Sequence, residues 1–211
     1  MTSIRRLPVY LLIDVSGDMA CERIEQLQLG LKLLASELKA DPTALEVAYL
    51  SVITFGRVAQ QLVPLTEVAA FTAPRITAGG GTAFGEALRT LEMCYDREII
   101  KDTSEEEKGD YKPLVFVMTD GQPTDEWEKI TDDIGKLVRD GHKYAYVVAL
   151  CMGHDADEAV LRRLTDNVML MRDITPGSMK KFFKYVSQSI KSGSKRPDNI
   201  DGTPPSPPVL T

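Results

Sequence analysis

The feature that most constrains the fold of this sequence is a series of short, continuous apolar runs separated by amphipathic helical patterns. The first run, residues 7–13 (LPVYLLI), is typical of a strand that is buried on both faces of a sheet. Residues 24–38 follow with isoleucine and leucine at helical spacing. Because strands that alternate with helices form mainly parallel sheets with helices on both faces, the sequence predicts an α/β fold.

The remaining elements follow from the same patterns. The other predicted strands are residues 44–55, 58–65, 114–119, 144–152 and 168–172, and the other predicted helices are residues 84–99, 126–139, 156–164 and 178–190. The length of 211 residues suits one such domain, which we place at residues 1–191. Residues 192–211 are rich in Pro, Ser and Gly and predict a flexible tail. Residues 203–208 (TPPSPP) of this tail either tether a partner in extended form or belong to a passive end.

The overall composition argues against several classes of function. The formal net charge of −6 leaves no basic excess to bind nucleic-acid phosphates. No run approaches the roughly 20 apolar residues that a membrane-spanning helix needs, and the run at residues 9–13 is too short for a secretory signal. The three cysteines contain no CxxC pair, which argues against a thiolate zinc site and fits a reducing compartment. We therefore expect a cytoplasmic protein that binds neither nucleic acid nor a membrane.

Three polar clusters stand at the ends of predicted strands or at the start of a predicted helix. They are residues 14–18 (DVSGD) after the first strand, residues 79–82 (GGGT) before the helix at 84–99, and residues 119–121 (TDG) at the end of the fourth strand. In doubly wound sheets, ligands bind beyond the carboxyl ends of the strands, where the strand order reverses. We therefore expect the three clusters to converge on one site.

These clusters offer only oxygen donors to a ligand. The donors are the carboxylates of Asp14, Asp18 and Asp120 and the hydroxyls of Ser16 and Thr82. An all-oxygen set is typical of hard cations, and a few carboxylates supplemented by hydroxyls favour Mg²⁺, with Mn²⁺ as the alternative. The sequence has neither the Gly-x-x-x-x-Gly-Lys nor the Gly-x-Gly-x-x-Gly pattern, so the glycines do not predict a nucleotide site.

This set of residues resembles the metal-ion-dependent adhesion site of von Willebrand factor A domains. The motif there is Asp-x-Ser-x-Ser with a distant Thr and a distant Asp. Asp14 and Ser16 match its first two positions, Thr82 matches the Thr and Asp120 matches the Asp. The resemblance covers about residues 7–190. It implies a Rossmann-like, doubly wound, mainly parallel six-stranded sheet with one antiparallel edge strand and helices on both faces, and it implies that the metal face binds another protein.

Within that family, the chain is most similar to the TerY-like proteins of bacterial tellurium-resistance gene clusters. The similarity lies in the stretches LPVYLLIDVSG, DPTALEVAYLSVITF and KPLVFVMTDGQPTDEW. It implies a scaffold or adaptor role in a tellurium-resistance or stress-response system. It also implies a protein kinase and a protein phosphatase as partners.

Asp18 departs from the motif, which has its second Ser at this position. Three carboxylates around one Mg²⁺ leave a net negative site, and like charges weaken the approach of an acidic side chain from a partner. Asp18 therefore either tightens the metal site or occupies the place of the partner's own acidic group. A metal-free scaffold, whose site is degenerate because of Asp18, is an alternative hypothesis.

A second alternative is a Mg²⁺-dependent phosphatase of the haloacid dehalogenase type, which also places an Asp after the first strand. That chemistry needs a second Asp two residues later to act as acid and base. Ser16 stands at that position instead. The sequence therefore predicts no catalytic residue and no enzyme activity.

Three residues beside the clusters are candidates for contact with the partner, namely Gly81, Asp125 and Trp127. Asp125 either caps the helix predicted to begin at residue 126 or supports the metal ligands through hydrogen bonds. Trp127, the single tryptophan, is either a core residue or an exposed contact, because tryptophan is favoured at binding hot spots.

Overall fold

A computed structural model describes residues 5–103, 109–140, 144–195 and 210 of the chain. Within these residues, strands alternate with α-helices, and a short 3₁₀ turn at Gly17–Met19 follows the first strand. The strands are β1 (Leu7–Asp14), β2 (Ala48–Phe55), β3 (Ala59–Glu67), β4 (Leu114–Thr119), β5 (Tyr146–Met152) and β6 (Val168–Met171). The α-helices are α1 (Glu22–Lys39), α2 (Pro42–Val47), α3 (Phe84–Glu98), α4 (Glu128–Arg139), α5 (Glu158–Leu164) and α6 (Pro176–Lys195).

The strands form one six-stranded sheet in the order β3-β2-β1-β4-β5-β6. All neighbouring pairs are parallel except β2 and β3, which form an antiparallel pair at one edge. The predicted architecture is therefore confirmed. The strand order reverses between β1 and β4, so the carboxyl ends of these two central strands border the crevice where such folds bind ligands.

Helices cover both faces of the sheet, and β1 contributes to a hydrophobic core on each face. Val9, Leu11 and Ile13 pack in a core shared with α1, α2 and α6. Tyr10 and Leu12 pack in the opposite core, shared with α3, α4 and α5. This alternation explains why β1 is apolar along its whole length, because successive side chains of a strand point to opposite faces.

The structure corrects the prediction at three element boundaries. Residues 44–47, predicted as strand, belong to helix α2, because the Asp41 carboxylate accepts hydrogen bonds from the backbone N–H groups of Thr43 and Ala44 and Pro42 occupies the first helical turn. Helix α4 begins at Glu128 rather than at residue 126. Helix α6 spans Pro176–Lys195, which extends the helix predicted at residues 178–190 at both ends.

Most of the predicted tail, including residues 203–208, lies outside the described residues. Leu210 is described, and it is buried against the first core, where it forms an isolated parallel bridge with Met171 at the free edge of β6. Among the helices in the described part of the chain, none combines the length and the apolar character that crossing a membrane requires.

Candidate metal centre

The carboxylate of Asp14 lies at the junction of the two central strands. Ile13 of β1 pairs with Met118 of β4, so the next residues, Asp14 and Thr119, stand side by side at the carboxyl edge. The Thr119 hydroxyl donates a 2.6 Å hydrogen bond to Oδ2 of Asp14. The backbone N–H of Ser16 donates a 2.8 Å hydrogen bond to Oδ1. Both oxygens of Asp14 are therefore held in fixed positions.

Asp14 is a buried carboxylate without a cationic side chain to balance it. Its exposed fraction is 0%, and burial raises its pKa to about 6, against the opposing effect of the hydrogen bonds from Thr119 and Ser16. In the described part of the chain, no Lys, Arg or His nitrogen forms an ion pair with it. A buried charge of this kind is stable when a cation compensates it.

The hydroxyl of Ser16 adds a second donor at the same place. Ser16 is 2% exposed, and its buried Oγ lies near enough to the Asp14 carboxylate to lower the pKa of that group, but it forms no well-aligned hydrogen bond with any described residue. Leaving a buried hydroxyl without a partner costs about 1 to 3 kcal/mol. A metal ion bound beside Asp14 would satisfy this oxygen, so the orphaned hydroxyl fits the predicted metal.

The glycine loop, residues 79–82, packs directly against the loop that follows β1. The backbone N–H of Gly17 donates to the carbonyl of Gly80 over 3.0 Å, and the N–H of Gly79 donates to the carbonyl of Val15 over 2.7 Å. Thr82 ends this loop and is 4% exposed. The loop thus brings Thr82 to the same edge of the sheet as Asp14 and Ser16, as the sequence predicted.

The loop that follows β4 closes the site from the other side. Thr82 and Thr124 are joined by two hydrogen bonds, since the Thr82 N–H donates to Thr124 Oγ1 and the Thr124 N–H donates to the Thr82 carbonyl, both over 2.9 Å. Asp120 is 5% exposed, and its Oδ1 accepts a 3.1 Å hydrogen bond from the Gln122 N–H. Burial raises the pKa of Asp120, and the nearby charge of Asp18 raises it further. The three predicted clusters therefore converge.

Asp18 occupies a different position from the other predicted ligands. It is exposed, and it lines a cavity of about 320 Å³ together with Asp120 and Arg23. Over the described ranges, no three His, Cys, Asp or Glu side chains come together in an arrangement that could hold a metal ion. The structure thus brings together the two buried carboxylates, Asp14 and Asp120, and the Ser16 and Thr82 positions, and it places Asp18 at the rim.

Two carboxylates supplemented by hydroxyls form a hard, all-oxygen donor set. A site of this kind balances a divalent cation with two negative charges and leaves further coordination positions to water or to an incoming oxygen ligand. The residues present therefore fit a divalent metal. Asp14, Ser16, Thr82 and Asp120 are the residues that would hold it.

The structure corrects the prediction for Asp125. Of its two predicted roles, the cap of the helix after it is wrong, because the carboxylate accepts hydrogen bonds from the N–H groups of Gly85 (3.1 Å) and Glu86 (2.9 Å), in the first turn of α3. Asp125 therefore stabilises the helix that follows Thr82, by compensating its unpaired N–H groups. The residue that immediately precedes α4 is Trp127, and its side chain forms no capping hydrogen bond.

The other two candidates for partner contact lie close to this junction. Trp127 is half-buried against the second core, and the Arg163 guanidinium lies 4.9 Å from the centre of its ring. Gly81 faces Thr124, because a Cβ atom at Gly81 would lie 2.6 Å from Thr124 Oγ1. The glycine therefore permits the close approach of the two loops.

Three residues of this region were not among the predicted site residues. Thr119 and Thr124 hold Asp14 and Thr82 in place, and Arg23 places a positive charge near Asp120 that lowers the pKa of that carboxylate. A polar residue at the end of an otherwise apolar strand was a usable signal for Thr119. Thr124 and Arg23 carry no comparable signal, because their contacts depend on how separate loops pack.

Comparison with known proteins identifies the family to which the chain belongs. A family model described as von Willebrand factor type A domain matches residues 9–184. A comparison with curated proteins found no significant match. Solved structures are similar in fold, and the chain spans less than half the length of the three that follow.

The first is a von Willebrand factor type A protein from Catenulispora acidiphila, with 17% identity, a TM-score of 0.64, and coverage of 89% of this chain and 43% of that one. The second is the pilus adhesin SpaC from Lactobacillus rhamnosus GG, with 15% identity, a TM-score of 0.69, and coverage of 90% and 30%. The third is proximal thread matrix protein 1 from the mussel byssus, whose own metal-ion-dependent adhesion site motif is occupied by zinc, with 15% identity, a TM-score of 0.61, and coverage of 90% and 46%. At these identities the structural similarity establishes the fold alone.

Proposed function

Because the chain belongs to the von Willebrand factor type A domain family, we propose that it is a protein-binding module. The module uses a divalent metal, Mg²⁺ in particular, at the carboxyl ends of β1 and β4. Domains of this family are typically protein-interaction modules. The proposal assigns the metal to Asp14, Ser16, Thr82 and Asp120.

One observation carries the proposal, namely the buried pair formed by the Asp14 carboxylate and the Ser16 hydroxyl. The carboxylate has no ion-pair partner among the described residues, and the hydroxyl forms no well-aligned hydrogen bond there. Both groups are destabilising in a metal-free core and both become ligands when a hard cation is present.

The bound metal would supply a positively charged, open coordination position for an oxygen atom of the partner. Thr119 orients Asp14 and the Gln122 N–H orients Asp120, so that the carboxylates keep their positions when the partner binds. Ser16 stands two residues after Asp14, where a phosphatase of the haloacid dehalogenase type would need its acid–base carboxylate. That residue pattern supports binding rather than catalysis.

The similarity to TerY-like proteins suggests the biological setting. We propose a cytoplasmic scaffold that connects a protein kinase and a protein phosphatase in a tellurium-resistance or stress-response system. The net charge of −6 supports protein partners over nucleic acid.

The function is tested by affinity capture, in which the immobilised chain is incubated with a cytosolic extract. The incubation is done once with Mg²⁺ and once with EDTA, each at a concentration on the order of millimolar. We expect one or more proteins to be retained with Mg²⁺ and released by EDTA, and the Asp120→Asn variant to lose the same proteins in Mg²⁺, because it removes one charge from the donor set. Identical capture by the native chain in Mg²⁺ and in EDTA would contradict the proposal.

A further inference from the structure

A second polar cavity lies beside the glycine loop, on the side of β2 and β3. It has a volume of about 270 Å³, and Arg57, Arg75, Thr77 and Gly79 are among the residues that line it. We call it the basic cavity. The described residues of its lining include two arginines and no carboxylate, although the chain as a whole carries a net charge of −6.

Arg57 is held next to the glycine loop by backbone contacts. It follows β2, and a Cβ atom at Gly80 would lie 2.7 Å from the Cβ of Arg57, so the two backbones touch because Gly80 has no side chain. The N–H of Ala83, just after Thr82, donates a 2.9 Å hydrogen bond to the carbonyl of Gly56. The residue that precedes Arg57 is therefore tied directly to the segment that carries a proposed metal ligand.

Arg75 belongs to the segment before the glycine loop, and Gln28 of α1 fixes that segment. The Gln28 side-chain amide donates to the carbonyl of Pro74 and accepts from the N–H of Ile76, both over 2.9 Å. One amide thus holds the backbone on both sides of Arg75. The base of the cavity is consequently a fixed element of the fold, and the two arginines extend from it toward solvent.

Both arginines are free to bind an external anion. They are exposed, and within the described ranges neither forms an ion pair with a carboxylate. The wall at Gly79 is open, since a Cβ atom built there meets no heavy atom within 4 Å. A guanidinium group binds a carboxylate through two parallel hydrogen bonds, and two such groups around one cavity select for acidic groups.

We propose that the basic cavity binds an acidic side chain of the partner protein, so that the partner's contact segment carries an acidic residue opposite Arg57 and Arg75. This inference rests on the proposed function for the neighbouring metal. It also gives the site a source of attraction for an acidic partner that offsets the negative charge of Asp18 at the rim.

The test uses fluorescein-labelled hexaglutamate as the probe and fluorescence anisotropy as the readout, in Mg²⁺ and in EDTA. We expect Arg57→Gln/Arg75→Gln to weaken binding of the peptide at least about tenfold in Mg²⁺. The matched control is Lys181→Gln/Lys184→Gln, which removes the same two charges from exposed positions of α6 and should change the affinity less than about twofold. Calorimetric Mg²⁺ affinity should be the same for the arginine variant and the native chain.

The outcomes separate this inference from the proposed function. Equal losses in the arginine variant and the lysine control, or no binding of hexaglutamate by the native chain, would overturn the inference. Tighter binding of a short oligothymidylate than of hexaglutamate would overturn it in favour of a nucleic-acid site. Binding that depends on the arginines supports the inference whether or not EDTA changes it, whereas capture of cytosolic proteins that is identical in Mg²⁺ and in EDTA contradicts the proposed function alone. Mg²⁺-dependent binding of hexaglutamate without an arginine effect overturns the inference and leaves the proposed function standing.

Discussion

The Thr119 hydroxyl donates a 2.6 Å hydrogen bond to the Asp14 carboxylate, and this contact joins the carboxyl ends of the two central parallel strands. The bond is buried, since Asp14 is 0% and Thr119 1% exposed. It holds a carboxylate in a position where only a cation would compensate its charge. The proposed metal site therefore lies at the point of the sheet where the strand order reverses.

Removal of the Thr119 hydroxyl should lower the affinity for the metal more than it lowers the stability of the fold. Thr119→Val keeps the shape of the side chain but leaves Asp14 Oδ2 without its donor, and we expect the Mg²⁺ affinity to fall about tenfold. Isothermal titration calorimetry measures the change. Thr131→Val is the matched control, because the Thr131 hydroxyl is also buried but has no hydrogen-bond partner in the described structure. Equal Mg²⁺ affinities of the two variants would contradict this role for Thr119.

The Ser16 hydroxyl should bind the metal directly. We expect Ser16→Ala to weaken the binding of Mg²⁺ and Mn²⁺ at least about tenfold and to change the metal-free stability by no more than about 1 kcal/mol, because the buried hydroxyl forms no well-aligned hydrogen bond. Ser187→Ala in α6 removes another buried, unpartnered hydroxyl far along the chain and should leave the metal affinity unchanged. Calorimetry and urea unfolding test both effects. A Ser16→Ala variant with native metal affinity would remove Ser16 from the ligand set.

The buried charge of Asp14 should make the metal-free protein less stable as the pH rises. Burial raises its pKa from the ordinary 3.8 to about 6, so the folded chain binds this proton more tightly than the unfolded chain. This tighter proton binding stabilises the folded state fully below about pH 4, and the stabilisation is lost as the pH rises through 6. The free energy of unfolding falls by about 3 kcal/mol in total, at about 1.4 kcal/mol for each pKa unit.

Asp14→Asn should remove this decline, because the amide carries no charge at any pH. Urea unfolding in EDTA at several pH values between 4 and 7.5 compares the variant with the native chain. The variant should be the more stable of the two at pH 7.5, and it should bind no Mg²⁺. The same pH profile in both proteins would contradict the account of Asp14.

Asp18 and Arg23 should affect the metal in opposite directions. They share a cavity with Asp120, whose pKa is raised by the charge of Asp18 and lowered by that of Arg23. Asp18→Ser should therefore weaken Mg²⁺ binding a few-fold, and Arg23→Gln should strengthen it a few-fold, with both effects reduced by salt. Calorimetry at low and high ionic strength measures them. A loss above about a hundredfold in Asp18→Ser would mean that Asp18 is a direct ligand rather than a residue of the rim.

The sequence pattern predicted the six-stranded sheet, and it placed the candidate metal ligands Asp14 and Asp120 at the ends of two central strands, where the structure has them. β1 and β4 are apolar along their length because both faces are covered, and Asp14 and Asp120 mark the points where these strands end. The pattern failed at residues 44–47, where the apolar run resembles a strand. The cap formed by Asp41 and Pro42 decides the conformation there instead.

Contacts between loops could not be predicted from the sequence. Asp125 was predicted either to cap the helix after it or to support the metal ligands, but it caps α3 by accepting a hydrogen bond from the N–H of Gly85, 40 residues earlier along the chain, and another from Glu86. Such a pairing is set by the packing of the loop after β4 on the glycine loop. The same holds for Thr124, whose hydroxyl accepts from the Thr82 N–H.

The proposed metal site is tested most directly by a crystal structure of the protein with Mn²⁺, in which anomalous scattering locates the ion. We expect one Mn²⁺ at the ends of β1 and β4, with Ser16 Oγ within about 2.5 Å and with oxygens of Asp14, Thr82 and Asp120 around it, either directly or through water. The hydrogen bond from Thr119 to Asp14 should persist. An anomalous peak elsewhere, or a Ser16 hydroxyl turned away from a metal bound at this edge, would contradict the proposed metal site.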